Sequence, residues 1–450
     1  MNRAVRFASA FALLSLLVPL AGVAVTHSAP IESWIGVWGY VSAPLPPGVT
    51  PAAAAPVIQA TVIPLGAAGS IAPPASPRPF PAPLLDNPGN VPVDTSATDL
   101  NNITVRQVVR VAAAGGRLRL RLSNESGADP LILGAVRIGE AAADGAIVAG
   151  SDHAVTFDGK TGVVIPAGSP LLSDPIDLPT KALDRLYVSI HVPGTIPARA
   201  SRSLFQYVAG TPGDFTGSAT LPGIRLARIP AYVALVESQP SKPTNVLVTL
   251  GDSITEGATS TANAFRSWPD RLAERLAGRN WAVVNAGIGG NRLLRYGTGP
   301  TALARLDRDV LSVPGIKAII LLEGINDIGR GFAPTGSTEP VDTAALEAAD
   351  KQIIARAHEH GVRVIGATLT PYEGASYASP AGEAVREELN TWIKTSGAFD
   401  GVIDFAPAVA DRNSPRAFDK QYNDRDHLHP NDAGYKAMAD AVDLSVIAGK

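Results

Sequence analysis

Between Ile103 and Val236 apolar side chains recur at every second position, most strictly in Arg117-Leu118-Arg119-Leu120-Arg121-Leu122. That period suits strands with one face in a core and the other in water. Further runs of this kind are Val105–Val111, Leu131–Ile138, Ala154–Phe157, Gly162–Ile165, Leu186–Val192, Leu204–Val208 and Arg228–Val236. Gly115-Gly116 predicts a hairpin joining Val105–Val111 to the Arg117 strand. Many short strands divided by Gly, Pro and Asp turns predict an all-β region, a β-sandwich of jelly-roll kind, with no helix of useful length.

The pattern changes after Ser238-Gln239-Pro240-Ser241-Lys242-Pro243. Continuous apolar runs at Val246–Leu250, Ala282–Asn285, Ala318–Leu322, Arg363–Thr368 and Val402–Phe405 predict strands buried on both faces. Amphipathic stretches near Ser267–Ala277, Ala302–Leu311, Thr343–His360, Ala381–Lys394 and Asn431–Val446 predict the helices between and after them. Together they predict an α/β region with a parallel sheet covered on both sides, whose chemistry belongs at the carboxyl ends of the strands. The expected organisation is a β-sandwich domain over 31–237, a linker over 238–244 and an α/β domain over 245–450. A Pro-, Ala- and Gly-rich excursion at about 42–92 interrupts the first domain, because such a segment cannot form a helix interior or a central strand. The aromatic run Trp34–Tyr40 just before it is expected to dock back as a strand or anchor.

Composition narrows the function classes. A length of 450 residues exceeds one comfortable core, and 46% hydrophobic with 18% charged residues describes a globular chain. A net charge of −3 without any Lys/Arg cluster argues against nucleic acid as a partner. Cysteine is absent, so disulfides, thiolate metal sites and lipoprotein anchoring are excluded. Arg3 and Arg6 precede an apolar run from about Ala10 to Val25, and Gly22-Val23-Ala24 offers small residues for a signal peptidase. The expectation is a signal peptide at 1–24, cut after Ala24 or alternatively Ala29, and a secreted or periplasmic protein with no stable membrane anchor. The run is short for a span and Pro19 interrupts it, which weighs against an uncleaved anchor.

Four short segments in the α/β region carry candidate chemistry. Gly251-Asp252-Ser253 follows the first apolar strand, at a strand-to-helix turn where a serine hydroxyl can be presented. Serine needs a base within hydrogen-bond reach to act as a nucleophile. In Asp426-His427-Leu428-His429-Pro430, His429 can serve as that base in the first turn of the last helix. Asp426, three residues upstream, can fix its tautomer and stabilise the imidazolium. His427 is the alternative; an Asp adjacent to a His has less freedom to orient it than one a turn away. His358 and His360, on an amphipathic helix, read as surface residues. A developing oxyanion needs donors already aimed at it. The Ser253 amide is one, the Asn285–Gly290 turn supplies another from Gly290 with Gly289 the near alternative, and the Asn326 side chain within Gly324-Ile325-Asn326-Asp327 is the third. Each turn alone could be ordinary strand-end structure, but three of them at the ends of three strands, on the edge expected to carry Ser253, favour the functional reading. No His/Asp/Glu cluster has ligand spacing, so neither metal nor cofactor is expected.

These four motifs resemble the SGNH branch of the GDSL hydrolases over about Asn245 to Ala448. The resemblance implies a flavodoxin-like three-layer α/β/α fold. It implies Ser253 as nucleophile, His429 as base, Asp426 as its orienter, and Ser253, Gly290 and Asn326 as oxyanion donors. Ile254 stands where the family name has Leu, a change that does not touch the chemistry. The upstream half more loosely resembles the β-rich accessory region of a secreted bacterial subgroup, through Trp34–Trp38, Arg106–Val111, Leu120–Asn124 and Ser173-Asp174-Pro175. The resemblance implies an esterase working through an acyl-enzyme on an ester substrate. O-acetyl groups on carbohydrate are the favoured class; short-chain lipid or aryl esters and acyl transfer are alternatives, and a non-catalytic glycan-binding protein is a rival.

Overall fold

The computed structural model describes residues 33–43, 93–94, 100–142, 145–196, 204–334, 339–423 and 425–449. The expected signal peptide at 1–24 and nearly all of the Pro-rich excursion lie outside the described residues. The first half is rich in antiparallel strands. A four-stranded sheet has the order β1 (Ile35–Gly39), β13 (Val233–Gln239), β4 (Arg117–Ser123) and β9 (Pro170–Leu172). A seven-stranded sheet runs β2 (Val93–Asp94), β12 (Arg225–Ile229), β11 (Leu204–Val208), β3 (Leu100–Arg110), β10 (Arg185–Ile196), β6 (Ala135–Glu140) and β7 (His153–Ala154). A ribbon pairs β5 (Leu131–Leu133) with β8 (Val163–Ile165). In β4 the alternation reads directly: Leu118, Leu120 and Leu122 are fully buried between half-exposed arginines.

Three expectations for this half are corrected. The Gly115-Gly116 hairpin does not form, because β3 and β4 lie in different sheets. β3 is flanked by β10 and β11, and β4 by β13 and β9, so neither has an edge for the other. The two glycine amides donate instead to Thr180 O at 3.1 Å and Gln239 O at 3.0 Å. The run Arg228–Val236 divides between β12 and β13, separated at Pro230, which has no N–H for a ladder. Leu131–Ile138 likewise divides at Gly134, where a Cβ would lie 2.5 Å from His191 Nδ1.

The second half holds a five-stranded sheet of order β15 (Trp281–Gly287), β14 (Asn245–Gly251), β16 (Ile316–Leu322), β17 (Arg363–Ala367) and β18 (Gly401–Ile403), with every pair parallel. Val246, Leu247, Val248 and Leu250 of β14 are fully buried, as a strand covered on both faces requires. The chain leaves β14 to one side for β15 and then crosses to the other side for β16. That reversal opens a crevice at the carboxyl ends of these strands. The helices are α1 (Ser253–Glu256), α2 (Trp268–Leu276), α3 (Ala302–Leu306), α4 (Ile325–Gly331), α5 (Thr343–Glu359), α6 (Pro380–Thr395), α7 (Ala406–Val409), α8 (Asp432–Ala441) and α9 (Leu444–Ala448). Helix α2 opens with a capping box in which Ser267 and Asp270 exchange side-chain and backbone hydrogen bonds. Helix α8 contacts α2 and α7, while α5 contacts α3 and α6 and α6 contacts α4, giving two helical groups. The helix expected over Asn431–Val446 is two: Val442 is extended, and Asp443 restarts the chain by capping α9 through Ser445 N–H at 2.9 Å. No described helix is long and apolar enough to cross a membrane.

The two halves meet closely. A Cβ on Gly39 of β1 would lie 2.7 Å from Val284 Cγ1 of β15, so glycine is what lets β1 approach the parallel sheet. Phe265, in the loop between α1 and α2, has the guanidiniums of Arg110 and Arg185 5.1 and 5.2 Å from its ring centre. Arg110 also pairs with Glu274 of α2 at 2.8 Å.

Candidate active site

Strand β14 ends at Gly251, where a Cβ would lie 2.2 Å from Thr255 Oγ1 and 2.4 Å from Leu322 O. Asp252 caps α1 by accepting Ile254 N–H at 2.8 Å, which leaves Ser253 as the first helical residue, only 8% exposed. Its Oγ lies 2.7 Å from His429 Nε2, and His429 Nδ1 lies 2.6 Å from Asp426 Oδ2. The other Asp426 oxygen accepts the backbone amides of Leu428 at 3.0 Å and His429 at 2.9 Å. Burial opposes ionisation of Asp426, but the hydrogen bond and charge of the His429 ring and those two amides outweigh it. The carboxyl is held well below the usual carboxylate range. With Nδ1–H committed to Asp426, Nε2 is the nitrogen available to accept the serine proton.

His427 is not part of this chain of contacts. Its side chain is exposed, its φ is +59°, and its ring abuts Gly374, where a Cβ would lie 2.9 Å from His427 Cγ. The expected helical setting of His429 is corrected: Pro430 precedes the helix. Asn431 caps α8 by accepting the amides of Ala433 and Gly434, both at 3.0 Å, and so fixes the start at Asp432. His358 and His360 lie at the exposed end of α5, as expected of surface residues.

Strands β15, β14 and β16 are neighbours, with Gly251 opposite both Gly287 and Leu322. The turns after them are thereby gathered at one sheet edge. Gly289 N–H donates to Glu256 Oε2 at 3.1 Å, whereas the amides of Gly290 and Ser253 meet no acceptor among the described residues. Gly290 has φ +74°, a backbone that side-chain-bearing residues rarely adopt. Asn326, 5% exposed, donates through Nδ2 to Asn291 O at 3.0 Å and accepts from Tyr377 OH at 3.4 Å. Those two contacts fix the orientation of the amide and leave its second N–H uncommitted. Asp327 anchors the same loop by accepting the amides of Leu293 at 2.8 Å and Leu294 at 3.1 Å. Burial drives its carboxyl upward, and those amides and Arg292 work against the shift.

Residues 249–437 match the family model described as the GDSL-like lipase/acylhydrolase family. This half of the chain belongs to that family. It is accordingly a carboxylic ester hydrolase of the SGNH/GDSL type. Among solved structures, it is similar to a member of the lipolytic protein G-D-S-L family from Veillonella parvula, at 22% identity, covering 46% of this chain and 99% of that one with a TM-score of 0.35. A GDSL-like lipase from Bacteroides thetaiotaomicron matches at 18% identity over 47% of this chain and 93% of its own, TM-score 0.36. An acetylxylan esterase from Geobacillus stearothermophilus, in a catalytic-mutant form, matches at 20% identity over 44% of this chain and 91% of its own, TM-score 0.35. No curated protein sequence matches the chain.

The GDSL half also contains polar residues that the sequence reading passed over. Arg305, fully buried on α3, donates to Gly251 O at 2.9 Å, Ala286 O at 2.6 Å and Asn291 Oδ1 at 2.8 Å. One guanidinium thus ties the ends of β14 and β15 to the turn that carries Asn291, and the Asn291 carbonyl in turn holds Asn326. Burial lowers the Arg305 pKa, opposed by Asp309 at 3.4 Å and Glu323 at 3.9 Å. Glu323 is pushed well above the usual carboxylate range by burial and by the charge of Asp252, with Arg305 opposing. Glu256 ends the helix that Ser253 begins, and only the fold brings it to the Gly289 amide. For Arg305 and Tyr377 the sequence holds no signal, because their partners are 14 to 54 residues away.

Proposed function

We propose that this chain is a serine esterase that cleaves carboxylic esters through an acyl-enzyme on Ser253. The reading is carried by one observation, the continuous series Ser253 Oγ, His429 Nε2, His429 Nδ1 and Asp426 Oδ2 with steps of 2.7 and 2.6 Å. Ser253 Oγ attacks the ester carbonyl while His429 Nε2 takes its proton, and Asp426 stabilises the imidazolium. Negative charge gathers on the former carbonyl oxygen, where the amides of Ser253 and Gly290 and the free N–H of Asn326 receive it. The choice of Gly290 over Gly289 is supported by the engagement of the Gly289 amide with Glu256. Collapse of the tetrahedral species breaks the bond to the alcohol oxygen, which leaves with the proton from His429. Water, deprotonated by the same imidazole, then releases the acid and restores Ser253.

The substrate class we favour is small O-acyl groups, acetyl above all, on extracellular carbohydrate. It rests on the export signal read at 1–24 and on the accessory β-rich half, and it makes the protein a secreted or periplasmic enzyme. Ser253→Ala tests the chemistry: hydrolysis of p-nitrophenyl acetate is expected to fall to background with the melting temperature retained. Turnover surviving in that variant would overturn the reading. Release of acetate from acetylated xylan, measured beside a chain-length series of aryl esters, tests the substrate class.

A further inference from the structure

The antiparallel half reaches the oxyanion turn through one side chain. Tyr40 follows β1 directly and is buried, and its amide donates to Ala234 O of β13 at 2.9 Å. Its hydroxyl donates to Glu256 Oε1 at 3.0 Å, and the other oxygen of that carboxylate accepts the Gly289 amide at 3.1 Å. The chain of contacts runs from the β-rich half, across the last residue of the nucleophile's helix, to the residue before Gly290.

We propose that Tyr40 is a positioning residue for the oxyanion site, acting through Glu256 on the Gly289–Gly290 turn. The proposal rests on the reading of Gly290 as an oxyanion donor. Two physical effects support it. A glutamate accepting from a phenol on one oxygen and an amide on the other is confined to one rotamer. The Gly289 amide is then held toward Glu256, which restrains the Gly289 backbone that sets the direction of the next N–H, that of Gly290. Glu256 also carries negative charge next to the place where the oxyanion forms, and a donor on Oε1 draws that charge away from the turn. Neither effect concerns substrate affinity in the ground state, so both act on turnover.

The test uses the full chain. Tyr40→Phe removes one hydroxyl and keeps the ring, and is expected to lower kcat for p-nitrophenyl acetate about tenfold or more with KM within about twofold, since small misplacements of catalytic groups cost up to ~10²-fold. Active-site titration with a fluorophosphonate, carried to completion, normalises the rate to folded enzyme, so loss of stability cannot imitate the result. Glu256→Ala provides the second variant. If Tyr40 acts through Glu256, the double variant is no slower than Glu256→Ala alone. A Tyr40→Phe enzyme with kcat within twofold of wild type, or losses that multiply in the double variant, would overturn the proposal. Ser253→Ala run in parallel separates the two ideas. Activity retained in Ser253→Ala sinks the serine mechanism, whereas a dead Ser253→Ala beside an unimpaired Tyr40→Phe sinks the Tyr40 role alone.

Discussion

Asp426→Asn is the change whose consequence the geometry defines most narrowly. In the wild type Oδ2 accepts from His429 Nδ1 at 2.6 Å, while Oδ1 accepts the amides of Leu428 and His429 at 3.0 and 2.9 Å. An asparagine has one acceptor end and one donor end, and here both ends face donors. If the amide oxygen stays on the two backbone amides, its NH2 faces Nδ1 and forces the tautomer that carries its proton on Nε2. That nitrogen can then no longer accept from Ser253 Oγ. If the amide flips, the NH2 faces two backbone N–H groups, and the turn presenting His429 loses both bonds. The first arrangement sacrifices one contact, and the second sacrifices both amide bonds and the longer one from Asn423 Nδ2 at 3.4 Å, so the wrong tautomer is the expected result. Loss of the orienting carboxylate with geometry intact costs a serine hydrolase about 10⁴ in kcat, or ~5.4 kcal/mol at ~1.36 kcal/mol per decade. Steady-state hydrolysis of p-nitrophenyl acetate should therefore show kcat down about 10⁴-fold with KM little changed, while His427→Ala stays within about twofold. The pH profile gives a second check. Asp426 remains ionised far below the ordinary carboxylate range, so its own protonation should add no limb to the wild-type profile where an ordinary carboxylate titrates. A depressed carboxyl contributes stability at all pH above its unfolded value and loses it as pH falls through its folded value, so wild type and Asp426→Asn should converge in melting temperature only in strong acid. An Asp426→Asn enzyme within tenfold of wild-type kcat would refute the assigned orientation.

Two further changes probe the donors and their support. Asn326→Ala removes one side-chain donor and should lower kcat about 10²- to 10³-fold, measured by steady-state ester hydrolysis with the fold checked by circular dichroism. Arg305→Lys keeps the charge but cannot reproduce three bonds to Gly251 O, Ala286 O and Asn291 Oδ1. With charged-group hydrogen bonds worth about 1.5–3 kcal/mol each, loss of two predicts at least ~3 kcal/mol in urea unfolding, and displacement of the Asn291 turn predicts a fall of about tenfold in kcat.

The sequence carried the architecture of the parallel half because its strands are apolar on both faces and its helices are amphipathic. Val246–Leu250 and Ala318–Leu322 fall inside β14 and β16 for that reason. Pairing in the antiparallel half was not legible. Alternation in Arg117–Leu122 specifies a face but not a partner, so Gly115-Gly116 suggested a local hairpin where the chain crosses between sheets. Helix continuity over Asn431–Val446 failed for a related reason, since the apolar period survives the break at Val442 and Asp443. Within the site, motif spacing brought out Ser253, Asp426 and His429, whose partners lie at sequence landmarks. It could not bring out the links that Tyr40 and Arg305 make to the site, because their partners lie 216 and 54 residues away.

The two sides of the site are anchored differently, and the difference matches where charge develops. The turns that carry Ser253 and the proposed oxyanion donors are tied together across the sheet edge: Asn285 Nδ2 donates to Thr255 O at 2.8 Å, Gly289 to Glu256, and Arg305 to the carbonyls of Gly251 and Ala286. His429 arrives on a loop fastened elsewhere, by Thr259 Oγ1 on Pro430 O at 2.7 Å and by Thr261 and Arg266 on Asp432. Exposure follows the same division, with Ser253 and Asn326 nearly buried and the side chains of His429 and Asp426 18% and 43% exposed. An oxyanion has no counter-charge of its own, and so depends on fixed dipoles in a dry setting, where each donor counts for more. An imidazolium already has Asp426 beside it and can share the rest of its charge with water. Under the proposed mechanism the buried network serves the oxygen, and the more exposed loop suffices for the base.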